Sequence, residues 1–137
     1  MIVLEYKARV KPAQATAINE AIRTAQFVRN KCLRFWMDNK GMGKYDLNKH
    51  CKILAREFEW AGKLNSQARQ SSSEQSWSSI SRFYANCKQG VSPVGFPKFK
   101  KYSRSVEYKT SGWNLLDPKR IKFTDGFGIG ELRLIGT

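Results

Sequence analysis

The sequence predicts an α+β fold in which three helices interrupt a β-rich unit. Three observations predict it. Apolar and charged residues alternate over residues 2–10, apolar residues recur at helical spacing through most of residues 13–87, and Gly, Pro and Asp divide the remainder into short strands. With 137 residues, the chain is expected to form one domain, or at most two small ones.

The first two elements are predicted to be a strand at residues 2–10 and a helix at residues 13–39. The strand has one apolar face, and Lys11-Pro12 ends it because proline suits the start of a helix. Arg29 interrupts the apolar stripe of the helix. Either its aliphatic stem lies along the stripe and carries the charged group to the surface, or the helix bends near Thr24 and gives two helices that resemble a helix-turn-helix.

Two further helices are predicted, one capped by Asp46 and one that runs from Asn65 to Cys87. Eight serines lie between Ser66 and Ser81. This stretch is either a serine-rich linker or a helix whose small side chains let another backbone approach closely. Four strands are predicted after it, at about residues 104–110, 113–116, 119–124 and 129–135.

Charge and composition narrow the functional classes. Lys and Arg number 25 against 11 Asp and Glu, a net charge of +14, which favours a polyanionic partner and above all nucleic acid. We expect no membrane partner, because no apolar run reaches about 18 residues, and no secretory signal at the charged N-terminus. Three cysteines without C-x-x-C spacing argue against a disulfide framework or a zinc site, so a reduced, intracellular protein is expected.

Catalysis has little support in the sequence. The only histidine, His50, lies at the edge of an apolar helix face without a partner pattern, so we expect a packing residue and not a base. Cys51 is expected to be a core residue. We predict no catalytic residue, no bound metal and no cofactor.

Binding residues are predicted in two stretches that combine cations with aromatic rings, as contact with phosphates and bases requires. On one helix face, Arg23, Asn30 and Arg34 are candidates for nucleic-acid backbone contacts, and Phe27 either stacks on a base or packs on a neighbouring element. After the third predicted helix, the densest basic run of the chain extends from Lys98 to Lys109. It supplies four further backbone candidates: Lys98, Lys100, Lys101 and Arg104. Phe96 and Phe99 beside them are expected to anchor this loop.

These features resemble the N-terminal part of TnpB (OrfB) proteins of bacterial insertion sequences. Four features support the resemblance over essentially the whole chain: a strand followed by Pro12 and an amphipathic helix, the block Phe27-Val28-Arg29-Asn30, the pair Phe83-Tyr84, and the block Gly95-Phe96-Pro97-Lys98-Phe99-Lys100 followed by a β segment with Gly128 and Gly130. The block at residues 95–100 is the most specific of the four.

The resemblance implies an RNA-guided system, in which base pairing with a guide RNA selects the DNA target. It implies a small, wedge-like β-barrel at residues 1–11 and 88–137, with a helical recognition domain inserted at residues 12–87. The implied partners are guide RNA and DNA. Tyr45, Gln70 and the weaker candidate Thr110 match positions that read a DNA motif beside the target, and Gln can pair with adenine edges.

The family's nuclease domain, with its acidic triad and zinc ribbon, is expected downstream of residue 137, so we expect no enzyme activity from this chain. A truncated element, a split gene and an engineered fragment stay open as origins, as does a separate nuclease-domain chain as partner. A bacterial, cytoplasmic and nucleoid-associated protein is expected. Two other functions also stay open: a helix-turn-helix DNA-binding transposase fragment or regulator that needs no RNA, and a non-catalytic subunit of a split nuclease.

Overall fold

The helices begin where side chains or backbone geometry satisfy their first N–H groups. A computed structural model, which describes residues 2–136, confirms the α+β class. Its elements are β1 (Lys7–Arg9), α1 (Pro12–Asp38), α2 (Lys44–Glu57), a short 3₁₀ helix (Ala61–Lys63), α3 (Ser66–Lys88), β2 (Trp113–Asp117), β3 (Arg120–Phe123) and β4 (Gly130–Ile135). No helix within residues 2–136 is both long enough and apolar enough to cross a bilayer.

Asn65 caps α3, since its Oδ1 accepts hydrogen bonds from the N–H groups of Gln67 and Ala68. The start of α2 differs from the prediction. Gly43 is the N-cap, and Asp46 lies one turn inside the helix, where its Oδ2 accepts from the Gly43 N–H at 2.8 Å. The carboxylate therefore satisfies the helix start from the third position instead of the cap.

The three helices run up, down and up, with α2 antiparallel to its neighbours. Phe27 of α1 contacts Phe58 at the end of α2, whereas Phe35 further along α1 stacks on His50, one of the earlier α2 residues. The buried centre of this bundle consists of apolar residues from all three helices: Val28, Cys32, Leu33, Leu47, Cys51, Leu54 and Ile80.

The serine-rich stretch is helical, so the linker alternative is wrong. Ser71, Ser72, Ser73 and Ser76 are all buried within α3. Ser73 donates to Asn48 Oδ1 at 2.9 Å, and the Ser76 hydroxyl donates to the Ser73 carbonyl at 2.7 Å. The Ser72 hydroxyl donates to the Ala68 carbonyl, whereas Ser71 Oγ has no hydrogen-bond partner among residues 2–136. Small side chains let α3 form the most extensive helix–helix contact of the fold, with α1.

Neither alternative for Arg29 is right. α1 continues without a break from Pro12 to Asp38, and the Thr24 hydroxyl donates to the Glu20 carbonyl at 2.7 Å. No turn at Thr24 therefore exists among the described residues, and the helix-turn-helix expected there is wrong. Arg29 does not reach the surface either, because a later loop covers it (see below).

The sheet is open and not the closed barrel that the resemblance implied. Its four strands are all antiparallel, in the order β1-β4-β3-β2. Closure requires β1 to pair with β2. Two differences prevent this within the described residues: β1 has only three residues, and residues 104–110 form no additional strand between them. Residues 2–6, predicted as part of the first strand, are exposed and outside the sheet.

One face of the sheet packs on α1. Ile129 and Leu132 are buried there beside Ala17, Ala21 and Ala25, and the partly buried Val106 and Tyr108 contact the same cluster. Residues 104–110 thus have the apolar alternation of a strand without strand pairing. The Thr110 N–H donates to Gln67 Oε1 at 3.0 Å, and the Lys109 ammonium pairs with Glu74 at 2.8 Å. Side chains of α3, and not a neighbouring strand, bind the end of this segment.

We predict that Ser76→Leu destabilises the fold by about 1–3 kcal/mol, because Ser76 is fully buried and the added carbons would force its neighbours apart. Ser78→Leu is the matched control, since Ser78 is exposed on the same helix, and its effect should stay within about 0.5 kcal/mol. Urea denaturation of both variants measures the difference. Equal midpoints for the two variants would contradict the tight packing of the serines.

Candidate nucleic-acid interface

Three side chains of α1 bind the backbone of the basic loop, which we define as residues 98–103. Asn30 makes two hydrogen bonds to Lys100: its Nδ2 donates to the Lys100 carbonyl at 2.8 Å, and its Oδ1 accepts from the Lys100 N–H at 2.9 Å. Gln26 Oε1 accepts from the Ser103 N–H at 2.8 Å. The loop therefore runs along α1 in the opposite direction to the helix.

Arg29 is the third of these side chains, and it is buried beneath the loop with 6% of its surface exposed. Its guanidinium donates to the Lys98 carbonyl at 3.3 Å and to the Ser79 hydroxyl at 3.2 Å. Burial lowers the pKa of Arg29 from its ordinary value, although an arginine keeps its charge in a folded protein. No carboxylate among residues 2–136 pairs with it. Arg29 therefore joins α1, α3 and the basic loop.

Because the loop is held through its backbone, its cationic side chains face solvent. Lys98, Lys100 and Lys101 are exposed, as is Arg104 just beyond the loop. None of the four forms an ion pair within the described part of the chain. Both polar groups of the Asn30 side chain bind the backbone of Lys100, so this predicted phosphate ligand also positions the lysines of the loop.

A cleft of about 330 Å³ lies between α1 and the basic loop. We call it the α1 cleft, and its lining combines three cations with two aromatic rings: Arg23, Gln26, Phe27, Asn30, Lys31, Arg34 and Phe99. Arg34 pairs with Asp38 at 3.0 Å, but both side chains are more than half exposed. Such a surface pair contributes little and can be exchanged for a phosphate. Phe99 is 43% exposed at the cleft. Phe96 contacts Phe83 and Trp36, as an anchor of the loop would, but half of its surface is exposed as well.

Phe27 belongs to an aromatic cluster with Phe58 and Trp60, whose ring centroids lie 5.1 and 4.5 Å from its own. The packing alternative is thus the one that the structure shows for Phe27. Trp60 is 43% exposed and lines a second hollow that shares Arg23 and Phe27 with the α1 cleft. Trp60 is the most exposed ring of this aromatic cluster, and the sequence patterns did not single it out as a binding residue. The one indication in the sequence that Trp60 is exposed was its place between Glu59 and a turn that contains glycine.

The three residues matched to motif reading do not meet at one place. Tyr45 is 80% exposed at the start of α2, and Gln70 is exposed on α3. Asn48 of α2 meets Ser73, and Cys51 meets Arg69. Since the helices are antiparallel, Tyr45 lies beyond Ser73, about 10 Å along the axis from Gln70.

Thr110 differs from the other two because its polar groups are already bound. Its hydroxyl and its N–H both contact Gln67 Oε1, at 2.9 and 3.0 Å. Gln67 lies one turn before Gln70 on α3. Thr110 is therefore near Gln70, but its hydroxyl serves the fold.

His50 and two of the three cysteines, Cys32 and Cys51, pack within the helical bundle, whereas Cys87 is exposed. The His50 ring stacks on Phe35 with centroids 4.2 Å apart, and burial lowers the pKa of His50. The Sγ atoms of Cys32 and Cys51 lie 3.9 Å apart, and this contact together with burial raises the pKa of Cys32. Among residues 2–136, no three His, Cys, Asp or Glu side chains are grouped so that they could hold a metal ion.

Comparison with known proteins returned no family: no family model matches this chain, and no curated protein sequence matches it.

We predict that Asn30→Ala lowers the free energy of unfolding by about 1–3 kcal/mol, because two hydrogen bonds to Lys100 are lost. Hydrogen exchange at the Lys100 N–H should accelerate in the variant. Asn19→Ala is the control, since Asn19 is exposed on the same helix, and it should change stability by less than about 0.5 kcal/mol. The same loss in both variants would show that the loop contacts contribute nothing.

Proposed function

We propose that this chain binds nucleic acid as the guide-RNA- and DNA-binding region of a TnpB-like RNA-guided endonuclease. The observation that supports this most is the attachment of the basic loop to α1 through Gln26, Arg29 and Asn30. It fixes a row of lysines next to the α1 cleft before any ligand binds. A site that is organised in advance loses less conformational entropy on binding.

The chemistry of the α1 cleft suits a single strand. Arg23, Lys31 and Arg34 supply positive charge along about three turns of α1, and Phe99, from the loop, lines the cleft with them. The exposed Lys98 and Lys100 are the chain neighbours of Phe99. Phe99 and the neighbouring Trp60 offer exposed ring faces. Cations that follow a backbone, together with rings on which bases stack, are the usual combination in proteins that bind unpaired nucleotides.

We assign Arg23, Arg34, Lys98, Lys100, Lys101 and Arg104 to phosphate contacts and Trp60 to stacking. In this proposal, residues 12–87 act as the recognition part and residues 1–11 and 88–137 as the wedge part, although their sheet is open. Gln70 reads the DNA motif, and Tyr45 contacts a different part of the DNA because it lies about two helical turns away. We assign no catalytic group to residues 1–137.

The first test uses a short single-stranded RNA and the triple variant Lys98→Gln, Lys100→Gln, Lys101→Gln. Each lost phosphate contact should reduce the slope of log K against log salt by about 0.7, so the triple variant should lose about 2. The matched control changes the same charge elsewhere, at the exposed Lys49, Lys52 and Lys88. Fluorescence anisotropy at several salt concentrations measures both slopes.

An equal loss of slope in the triple variant and its control would contradict the assignment of the loop lysines to phosphate contacts. It would show only a general effect of net charge. Absence of RNA binding by the unaltered chain would remove the proposed function. Sequence-specific DNA binding without any RNA would instead favour a conventional regulator.

The second test concerns Gln70, in the complex with guide RNA. Gln70→Ala should relax base preference at one position of the DNA motif, at a cost of about 1–3 kcal/mol there. Gln75→Ala is the control, because Gln75 is exposed on the same helix. Binding to a library of motif variants measures the preference. A uniform loss over all variants would make Gln70 a backbone contact and contradict the motif-reading role.

A further inference from the structure

The sheet has a second basic surface on the side that faces away from α1. Register fixes which residues share it. Leu132 is buried against α1, so the residues next to it in β4, Glu131 and Arg133, point outward. The outer sheet face, as we name it, consists of Lys7, Arg9, Asn114, Asp117, Arg120, Lys122, Glu131, Arg133 and Ile135.

Three arginines of this face form a row across three strands. Arg9 of β1 is directly opposite Arg133 of β4, and Arg133 is directly opposite Arg120 of β3. Neighbouring strands are about 4.8 Å apart, so the backbone positions of the three arginines span about 10 Å across the sheet. Like charges directly opposite each other destabilise a sheet. The fold therefore keeps an arrangement that is unfavourable in isolation.

Only one arginine of the row is compensated. Arg120 pairs with Asp117 at 2.6 Å and with Glu131 at 3.1 Å. Arg9 and Arg133 have no carboxylate partner among residues 2–136. Lys119, in the turn between β2 and β3, adds a further cation near the row. Its carbonyl accepts a hydrogen bond from the Leu134 N–H at 2.7 Å, and this bond holds the turn against β4.

Arg133 lies at the junction of three shallow clefts. One of about 230 Å³ includes Arg9 and Lys119, one of about 350 Å³ includes Arg9 and Lys11, and one of about 420 Å³ includes Lys119 and Arg120. The second cleft also contains Glu131 and the third contains Asp117, so the cleft with Arg9 and Lys119 is the one of the three whose charged residues are all cations. A group of phosphate size has room there.

The outer sheet face differs from the α1 cleft in one respect that decides its ligand. None of its residues is aromatic; the rings of the described strands, Trp113 and Phe123, pair with each other on the opposite face. Without a ring, the face cannot stack unpaired bases, as sheets that bind single strands do. Arginines can bind phosphates in a bidentate manner, and that chemistry suits a backbone whose bases are already paired.

We propose that the outer sheet face binds the phosphate backbone of a nucleic-acid duplex through Arg9 and Arg133, with Lys119 beside them, while the α1 cleft takes unpaired nucleotides. The inference shares with the proposed function the assumption that the partner is nucleic acid, but it rests on different residues. Binding at this face is independent of sequence, and the chain contacts paired and unpaired segments at two separate surfaces.

The test compares a DNA duplex, an RNA hairpin and a single-stranded RNA as probes for the full chain. Arg9→Gln with Arg133→Gln should reduce the salt slope for the DNA duplex by about 1.8, at about 0.9 for each contact, and leave the slope for the single strand unchanged. Arg9→Lys with Arg133→Lys keeps the charge and should keep the slope. Trp60→Leu should show the opposite pattern, with weaker single-strand binding and unaltered duplex binding.

Two controls separate a local effect from loss of charge or of folding. Lys49→Gln with Lys52→Gln removes two exposed charges of α2 and should leave duplex binding intact. The urea midpoint of the Arg9 and Arg133 double Gln variant should stay the same or rise, because the repulsion across the strands is relieved. The hairpin shows whether the face accepts RNA as well as DNA duplexes.

A duplex slope that is unchanged in the double Gln variant, or reduced equally in the lysine control, would overturn the inference. So would equal losses for duplex and single strand, or binding of anionic phospholipid vesicles, but not of duplexes, through Arg9 and Arg133. Single-strand binding without duplex binding would also overturn it and would leave the proposed function standing. Binding of no nucleic acid at all would remove both.

Discussion

The contact between α1 and the backbone of residues 98–103 determines where the positive charge of this protein can act. Gln26, Arg29 and Asn30 are three and four residues apart, so they form one edge of the helix. Their polar groups bind backbone, which directs the lysine side chains of the loop away from α1. A loop with this composition and no such contacts would be mobile, because self-repulsion and entropy both favour its extension.

Arg29 is the costly member of this contact. Its guanidinium is buried and meets only neutral acceptors, so desolvation opposes the charge without a carboxylate in return. Hydrogen bonds from a charged donor are stronger than those between neutral groups, and they are made here to a carbonyl and a hydroxyl from different segments. Removal of any one partner would leave a buried charge less satisfied, which makes the arrangement of α1, α3 and the loop specific.

The sequence predicted the helices closely, and the strands less well, for a physical reason. Helical hydrogen bonds are local, so apolar spacing and the cap at Asn65 suffice to place α3. Strand pairing depends on distant partners. Val106 and Tyr108 have the alternation of a strand and pack on the core. Gln67 and Glu74 of α3, however, bind Thr110 and Lys109 just after them, and no local sequence pattern indicates these contacts. The same limit applies to the candidate nucleic-acid interface. Asn30 and Arg29 are residue types that often bind phosphate, and only their contacts with residues 98–100 reveal that they position the loop.

The two basic surfaces lie on different sides of the same framework, and their side chains differ in kind. The α1 cleft mixes cations with Phe99 and, nearby, Trp60, whereas the outer sheet face is rich in arginine and lysine and has no aromatic residue. Separation of this sort keeps the like charges of the two surfaces apart in a chain of net charge +14. In the arginine row of the outer sheet face, neighbouring charges lie closer than the screening length of about 8–10 Å at physiological salt, so they repel one another unless a polyanion neutralises them. Because the unfolded chain cannot present the charges in this arrangement, a polyanion that binds both surfaces stabilises the folded state by mass action. Repulsion in the free protein and the proposed affinity for nucleic acid thus have one electrostatic cause.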